Sequence, residues 1–368
     1  MKKAVGICAA LTALALSLFP AVAISAAGKA LSLCASTLIP SLFPFFVCAN
    51  TLIASGITSS AGRIFERPSR FLFRVGGEGA SAVLLGLVSG YPAGAAVTCK
   101  LYSSGSISRP EAQRLLSFTN NAGPLFVIGA VGTAACKSPA AGYILLAAQT
   151  LASFSTGFCM RFYGTDTPRV RTTLRKTAAD PMGDAVHTVL SLCGFVVFFS
   201  VITAFLEHLG ILGIARRFLT ASGLGEKTAA LLCAGFLEVS AVAGTDGGAL
   251  PAMAGLLAFG GLSVFLQTAA LVRKNGLSMN SYIIGKLLSS GLSAFYCRLL
   301  LMVFPQAVPA NAPLLQEKAV AYGGYLAAAV LLTFSVWFFF RLMDSLNKRL
   351  HRTSGYDTIK KKTEKEQA

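Results

Sequence analysis

Apolar runs of about twenty residues recur along the whole chain, and nearly every charge falls in the gaps between them. Coiled as a helix, such a run crosses a hydrocarbon layer of roughly 30 Å. Runs that read as spans lie at about 4–27, 30–55, 115–136, 139–160, 187–206, 251–272, 282–304 and 320–341. Two more apolar stretches lie at about 81–99 and 229–248. Charged residues make up 13% of the chain, about half the share of a soluble domain. A soluble enzyme is excluded. The 36 glycines favour close helix packing and broken spans over a simple anchor.

The net charge is +17, and the side on which the charges fall sets the topology. Lys and Arg occupy short loops and the C-terminus without a basic, aromatic-interleaved stripe, so nucleic acid is not an expected partner. If 81–99 crossed fully, the basic loops at 63–74 and 161–176 would face opposite sides. If it re-enters, every heavily basic loop joins Lys2, Lys3 and the tail on the inside. Lys29, Lys137, Arg216, Arg217, Lys227 and Lys318 then lie outside. The expected fold is an all-α, polytopic membrane protein with about eight transmembrane helices and two re-entrant hairpins. It is multi-pass in the cell membrane with both termini cytoplasmic. Ser89-Gly90-Tyr91-Pro92-Ala93-Gly94 supplies the break of the first hairpin. The first run ends in a sequence that could pass for a signal-peptidase site, but it is longer than a signal core and reads as a retained span. The cysteines stand singly without a CxxC and the three histidines are scattered. No metal site, cofactor or disulfide frame is expected, and no nucleophile–base pair suggests an enzyme.

The two halves resemble each other weakly. Ser41–Val47 matches Ser191–Val197, Gly86-Leu-Val-Ser89 matches Gly235-Phe-Leu-Glu238, and Phe118 with its following break matches Phe259 before Gly260-Gly261. The paired segments run in opposite directions through the expected topology, which makes an inverted repeat. The chain divides into an N-terminal span (1–29), a first repeat (30–160), a basic loop (161–186), a second, inverted repeat (187–305), a C-terminal span (306–347) and a basic tail (348–368). Ser108-Arg-Pro-Glu111 is a capping-box start for a helix that Asn120-Asn121-Ala122-Gly123-Pro124 then interrupts. A half-helix restarting near Pro124 would aim free N–H groups at the midplane, suiting a carbonyl, hydroxyl or anion. A glycine kink made for packing is the alternative.

Gly90-Tyr-Pro-Ala-Gly94, Gly105–Gln113, Leu115–Phe126 and Gly235-Phe-Leu-Glu238 resemble the YlbJ-type sporulation integral membrane proteins. The likeness covers about residues 35–305, and Pro92-Ala93 stands where that family's turn has Pro-Ser. The resemblance implies a nucleoside recognition (Gate) domain, a transporter-like fold and an endospore-forming bacterial host. No GxxxxGK[ST] loop is present, so a GTPase is not implied.

Glu238 is an ionisable group at hairpin depth, where a charge costs about 2.5 kcal/mol or more unless paired or wetted. It is read either as contacting a polar solute or coupling cation, or as paired with Lys286 or Arg298. Asp246 is read at the hairpin mouth. Asn120 and Asn121 offer amide donors and acceptors beside a break, with local capping as the alternative. Gln267 could face the same site or bond a neighbouring helix, and Ser89 stands behind these. The expected function is binding or moving a small polar solute, nucleoside-like among the candidates. The alternative is a non-transporting assembly component of the spore-forming membrane. The lipid bilayer is the expected partner in either case.

Overall fold

The computed structural model describes residues 2–55, 57–164, 180–244 and 249–305. Asp246, most of the 161–176 loop, the run at 320–341 and the tail lie outside them. All regular elements among the described residues are helical. Contacts divide the chain into two units, residues 1–20 with 322–368 and residues 21–321. The described part of the first is α1 (Lys2–Leu18), which exposes Leu11, Leu14 and Leu18. The expected first span is interrupted at Phe19. A new helix, α2 (Pro20–Leu33), starts with proline in the first turn, where no N–H partner is needed.

In the second unit, prolines and glycines decide where helices change. Pro40 offers no N–H and crowds the carbonyl four residues back. Ahead of α3 (Ile39–Ala54) the chain accordingly widens into a π-helical turn, Cys34–Leu38, and the Ser36 hydroxyl donates to Ser32 O at 2.7 Å. The stretch read as a basic loop is instead helical, α4 (Ile57–Phe73). It exposes Ile64 and Phe71 as well as Arg67 and Arg70, a mixed surface suited to the headgroup boundary, and its charge density hid the helical period. The first expected hairpin forms as α5 (Gly77–Ser89), a turn through Gly90 and a cis Tyr91–Pro92 bond, and α6 (Ala93–Ser103).

Helix α7 (Arg109–Phe118) begins with the expected capping box and ends at the expected break. The chain then resumes as a π-helix, Leu125–Ala135, followed by α8 (Pro139–Met160). After α9 (Pro181–His208) comes a short helix, α10 (Ile211–Ala221), exposing Ile214 and Phe218. Next, α11 (Glu226–Leu237) gives way to extended Glu238 and a 3-10 turn, Val239–Gly244. Helices α12 (Leu250–Phe259) and α13 (Gly261–Lys274) meet at Gly260, whose φ of 92° is a left-handed bend that a side chain would strain. The last described helix is α14 (Asn280–Val303).

Four described helical segments are long and apolar enough to cross a membrane, or up to six if each bent pair is one span. The chain is thus an all-α, polytopic membrane protein. Helix α14 packs on α7, α8 and α12, tied by small polar side chains. Ser281 Oγ donates to Gln113 Oε1 at 2.8 Å, Thr156 and Ser289 hydroxyls bond at 2.8 Å, and Ser290 Oγ donates to Gly255 O at 2.9 Å. Between helices in lipid such bonds contribute about 0.6 kcal/mol each, so close backbone packing carries much of the association. At Gly285 a Cβ would lie 2.1 Å from Ser117 O, which marks how near α14 comes to α7.

Candidate functional site

The interrupted segments meet. The arms of the α5–α6 hairpin grip the first break so closely that a Cβ on Gly86 or on Gly94 would lie 2.0 Å from Thr119 O. At the hairpin tip Gly90 faces Gly123, with 2.6 Å between its notional Cβ and Gly123 N. Gly261, at the second break, packs on the end of α11, its notional Cβ 3.0 Å from Gly235 O and 3.1 Å from Val239 N. Gly260 in turn faces the Tyr91 ring at 3.8 Å. One chain of contacts therefore joins both breaks, the first hairpin tip and the Glu238 turn.

The first break is held from behind by side chains. Gln149 on α8 donates to Ala122 O at 2.9 Å and accepts from Ala122 N at 3.3 Å. Ser153 Oγ donates to Phe118 O at 2.7 Å. Lys286 on α14 donates to Asn120 O and, at 2.9 Å, to Ala258 O in the last turn of α12. Main-chain groups freed by the interruption are thus largely satisfied inside the protein, as an interrupted helix in lipid requires.

In front of the break lies a cavity of about 80 Å³, well above the ~10–15 Å³ that one water needs on the same scale. Its polar wall comprises Ser89, Tyr91, Glu238, Ser240 and Gln267, and no Lys, Arg or His among the described residues lines it. Leu38 and Leu42 from the N-terminal helices and Leu192 and Val196 from α9 form an apolar wall. Glu238 Oε1 accepts from Ser240 N at 3.1 Å, and Gln267 Nε2 donates to Ser263 Oγ at 3.2 Å. Three buried polar atoms in this lining have no hydrogen-bond partner among the described residues: Tyr91 OH, Glu238 Oε2 and Gln267 Oε1. Each such atom costs on the order of 1–3 kcal/mol if left bare.

The structure places Glu238, Gln267 and Ser89 on the cavity wall, each almost fully buried. The Ser89 hydroxyl is turned back to Leu85 O. Asn120 and Asn121 are buried beside the cavity without lining it. Asn120 Nδ2 donates to Thr268 Oγ1 and Tyr282 OH, both at 3.1 Å, while its Oδ1 is unpartnered. Asn121 Nδ2 donates to Phe118 O at 2.8 Å and to Ser153 Oγ at 3.0 Å, which is local capping. The bonds of Lys286 go to main-chain carbonyls, so it does not serve as the structural partner considered for Glu238. Tyr91 is the residue that sequence reasoning passed over. It sits inside the quoted Gly-Tyr-Pro-Ala-Gly turn, and an aromatic hydroxyl at a hairpin tip was the signal that could have found it.

Comparison with known proteins finds one of established description. The sporulation integral membrane protein YlbJ of Bacillus subtilis (strain 168) is 30% identical over 318 residues, covering 76% of this chain and 78% of that protein. No family model matches the chain. No solved structure matches it either.

Proposed function

The chain belongs to the family of the sporulation integral membrane protein YlbJ, and from that premise we propose that it serves spore formation as a transporter-like protein binding a small polar solute in its central cavity. The observation that carries this reading is the convergence of Tyr91 OH, Glu238 Oε2 and Gln267 Oε1, all unpartnered among the described residues, on one cavity. Gln267 Oε1 accepts only, Glu238 Oε2 accepts when the carboxyl is ionised, and the Tyr91 hydroxyl can donate or accept. With no basic side chain among the described residues of the lining, the complementary ligand carries hydrogen-bond donors and is neutral or cationic. Amines, polyols and nucleosides fit that description, and free carboxylates do not. Ligand access would alternate by movement of the hairpins against the broken spans.

Thermal unfolding of the purified protein against a panel of such solutes tests this. Donor-rich neutral or cationic compounds are expected to raise Tm, and small carboxylates are not. Glu238→Gln removes a charge-assisted bond of about 1.5–3 kcal/mol, so affinity should fall roughly 10- to 100-fold with abundance unchanged. Stabilisation by carboxylates alone, or undiminished affinity in the variant, would overturn the solute reading. An assembly component would instead tolerate Glu238→Gln with normal abundance and normal spore yield.

A further inference from the structure

Lys286 lies in the second turn of the membrane-length helix α14, 1% exposed, with two of its three N–H donors on main-chain carbonyls. Asn120 O belongs to the break that follows α7, and Ala258 O to the last turn of α12. Ala258 O is a helix-end carbonyl at the negative pole of α12, and Asn120 O lies just past the C-cap of α7, where no intrahelical partner is available. The Tyr282 ring centroid lies 5.9 Å from Nζ, and the hydroxyls of Tyr282 and Thr268 bond the Asn120 amide beside it. Among the described residues the ion pairs found do not include Lys286. The Lys286 amino group thus sits among oxygens at the ends of two interrupted helices.

That arrangement of unwound carbonyls and half-helix C-termini is the one in which transporters with broken helices hold a free sodium ion. We propose that Lys286 is a built-in cation: its ammonium fills the seat that Asn120 O and Ala258 O would otherwise offer to a free monovalent ion, so the protein works without sodium. The seat stands on its own geometry, and only its consequence for coupling rests on the transport reading. A neutral residue at 286 would leave two buried carbonyls bare and open the position to an ion from solution.

The experiment is thermal unfolding of the purified full chain, with no solute added, in sodium chloride and in choline chloride at equal ionic strength. The native protein is expected to unfold at the same temperature in both. Lys286→Ala should unfold lower in choline and recover about 2–4 °C in sodium or in methylammonium, whose head replaces the lost ammonium. Lys286→Arg, which keeps the charge, should stay indifferent to sodium. Sodium-dependent stabilisation of the native protein would overturn the proposal. So would a folded Lys286→Ala protein that ignores sodium, potassium and methylammonium alike, for then the lysine is only a structural tie. Should the alanine variant fail to accumulate, Lys286→Met, which keeps the bulk of the stem, is unfolded in the same salts. Recovery in sodium then supports the proposal, and indifference to all three cations overturns it. Absence of solute separates this result from the fate of the solute reading.

Discussion

Tyr91, on the hairpin tip that faces the first break, and Asn121, within that break, should respond in opposite ways. The Tyr91 hydroxyl is buried without a partner, so Tyr91→Phe removes a desolvated atom that stabilises nothing in the empty protein. Thermal stability should hold or rise slightly, while solute affinity falls roughly 3- to 10-fold, the worth of one neutral hydrogen bond. Asn121→Ala should do the reverse. Its amide bonds Phe118 O and Ser153 Oγ, and deletion removes both buried hydrogen bonds, leaving Phe118 O to Ser153 alone, at a cost of about 1–3 kcal/mol. Because Asn121 does not line the cavity, affinity in the protein that remains folded should change little. A destabilised Tyr91→Phe protein with native affinity would reverse the roles assigned to the two residues.

Among the elements, the interrupted helices are held by main chain touching main chain, and glycine substitutions measure that. Gly86→Ala and Gly94→Ala each push a methyl into the Thr119 carbonyl and should abolish accumulation of folded protein. Gly194 on α9 has nothing within 4 Å of its notional Cβ, so Gly194→Ala should be neutral or stabilising by up to about 1 kcal/mol. Quantifying membrane-inserted protein for the three variants tests the contrast, and a well-folded Gly94→Ala would show that the hairpin is loosely seated. Both breaks were legible beforehand because Asn-Asn-Ala-Gly-Pro and Gly-Gly are local chemistry that stops a helix whatever surrounds it. The capping box at Ser108 was legible for the same reason. The α4 helix was not, since its arginines outweighed its apolar stripe. Nor were the partners of Lys286, or the bare hydroxyl of Tyr91, because satisfaction of a buried polar atom depends on groups that the fold brings in from 28 to more than a hundred residues away along the chain.

For the whole molecule, the charge pattern and the hairpin reading make one joint statement about sidedness. In a cysteine-free background, a thiol at exposed Ser103, after the first hairpin, should label from the cytoplasm. One at exposed Ala221, at the end of α10, should label from the opposite face. Labelling from the same side would refute the re-entrant topology and with it the inverted repeat. The close backbone seams bear on a different matter, the freedom of the sequence to drift. Positions 86, 94 and 285 accept no added atom, whereas Leu38, Leu42, Val88 and Val264 reach the cavity from side chains that those seams do not use. A randomised library selected only for folded protein should therefore return glycine at the first set and wide variety at the second. On the solute reading proposed above, lineages built on this scaffold could exchange one solute for another by altering a few apolar side chains while the backbone that frames them stays as it is.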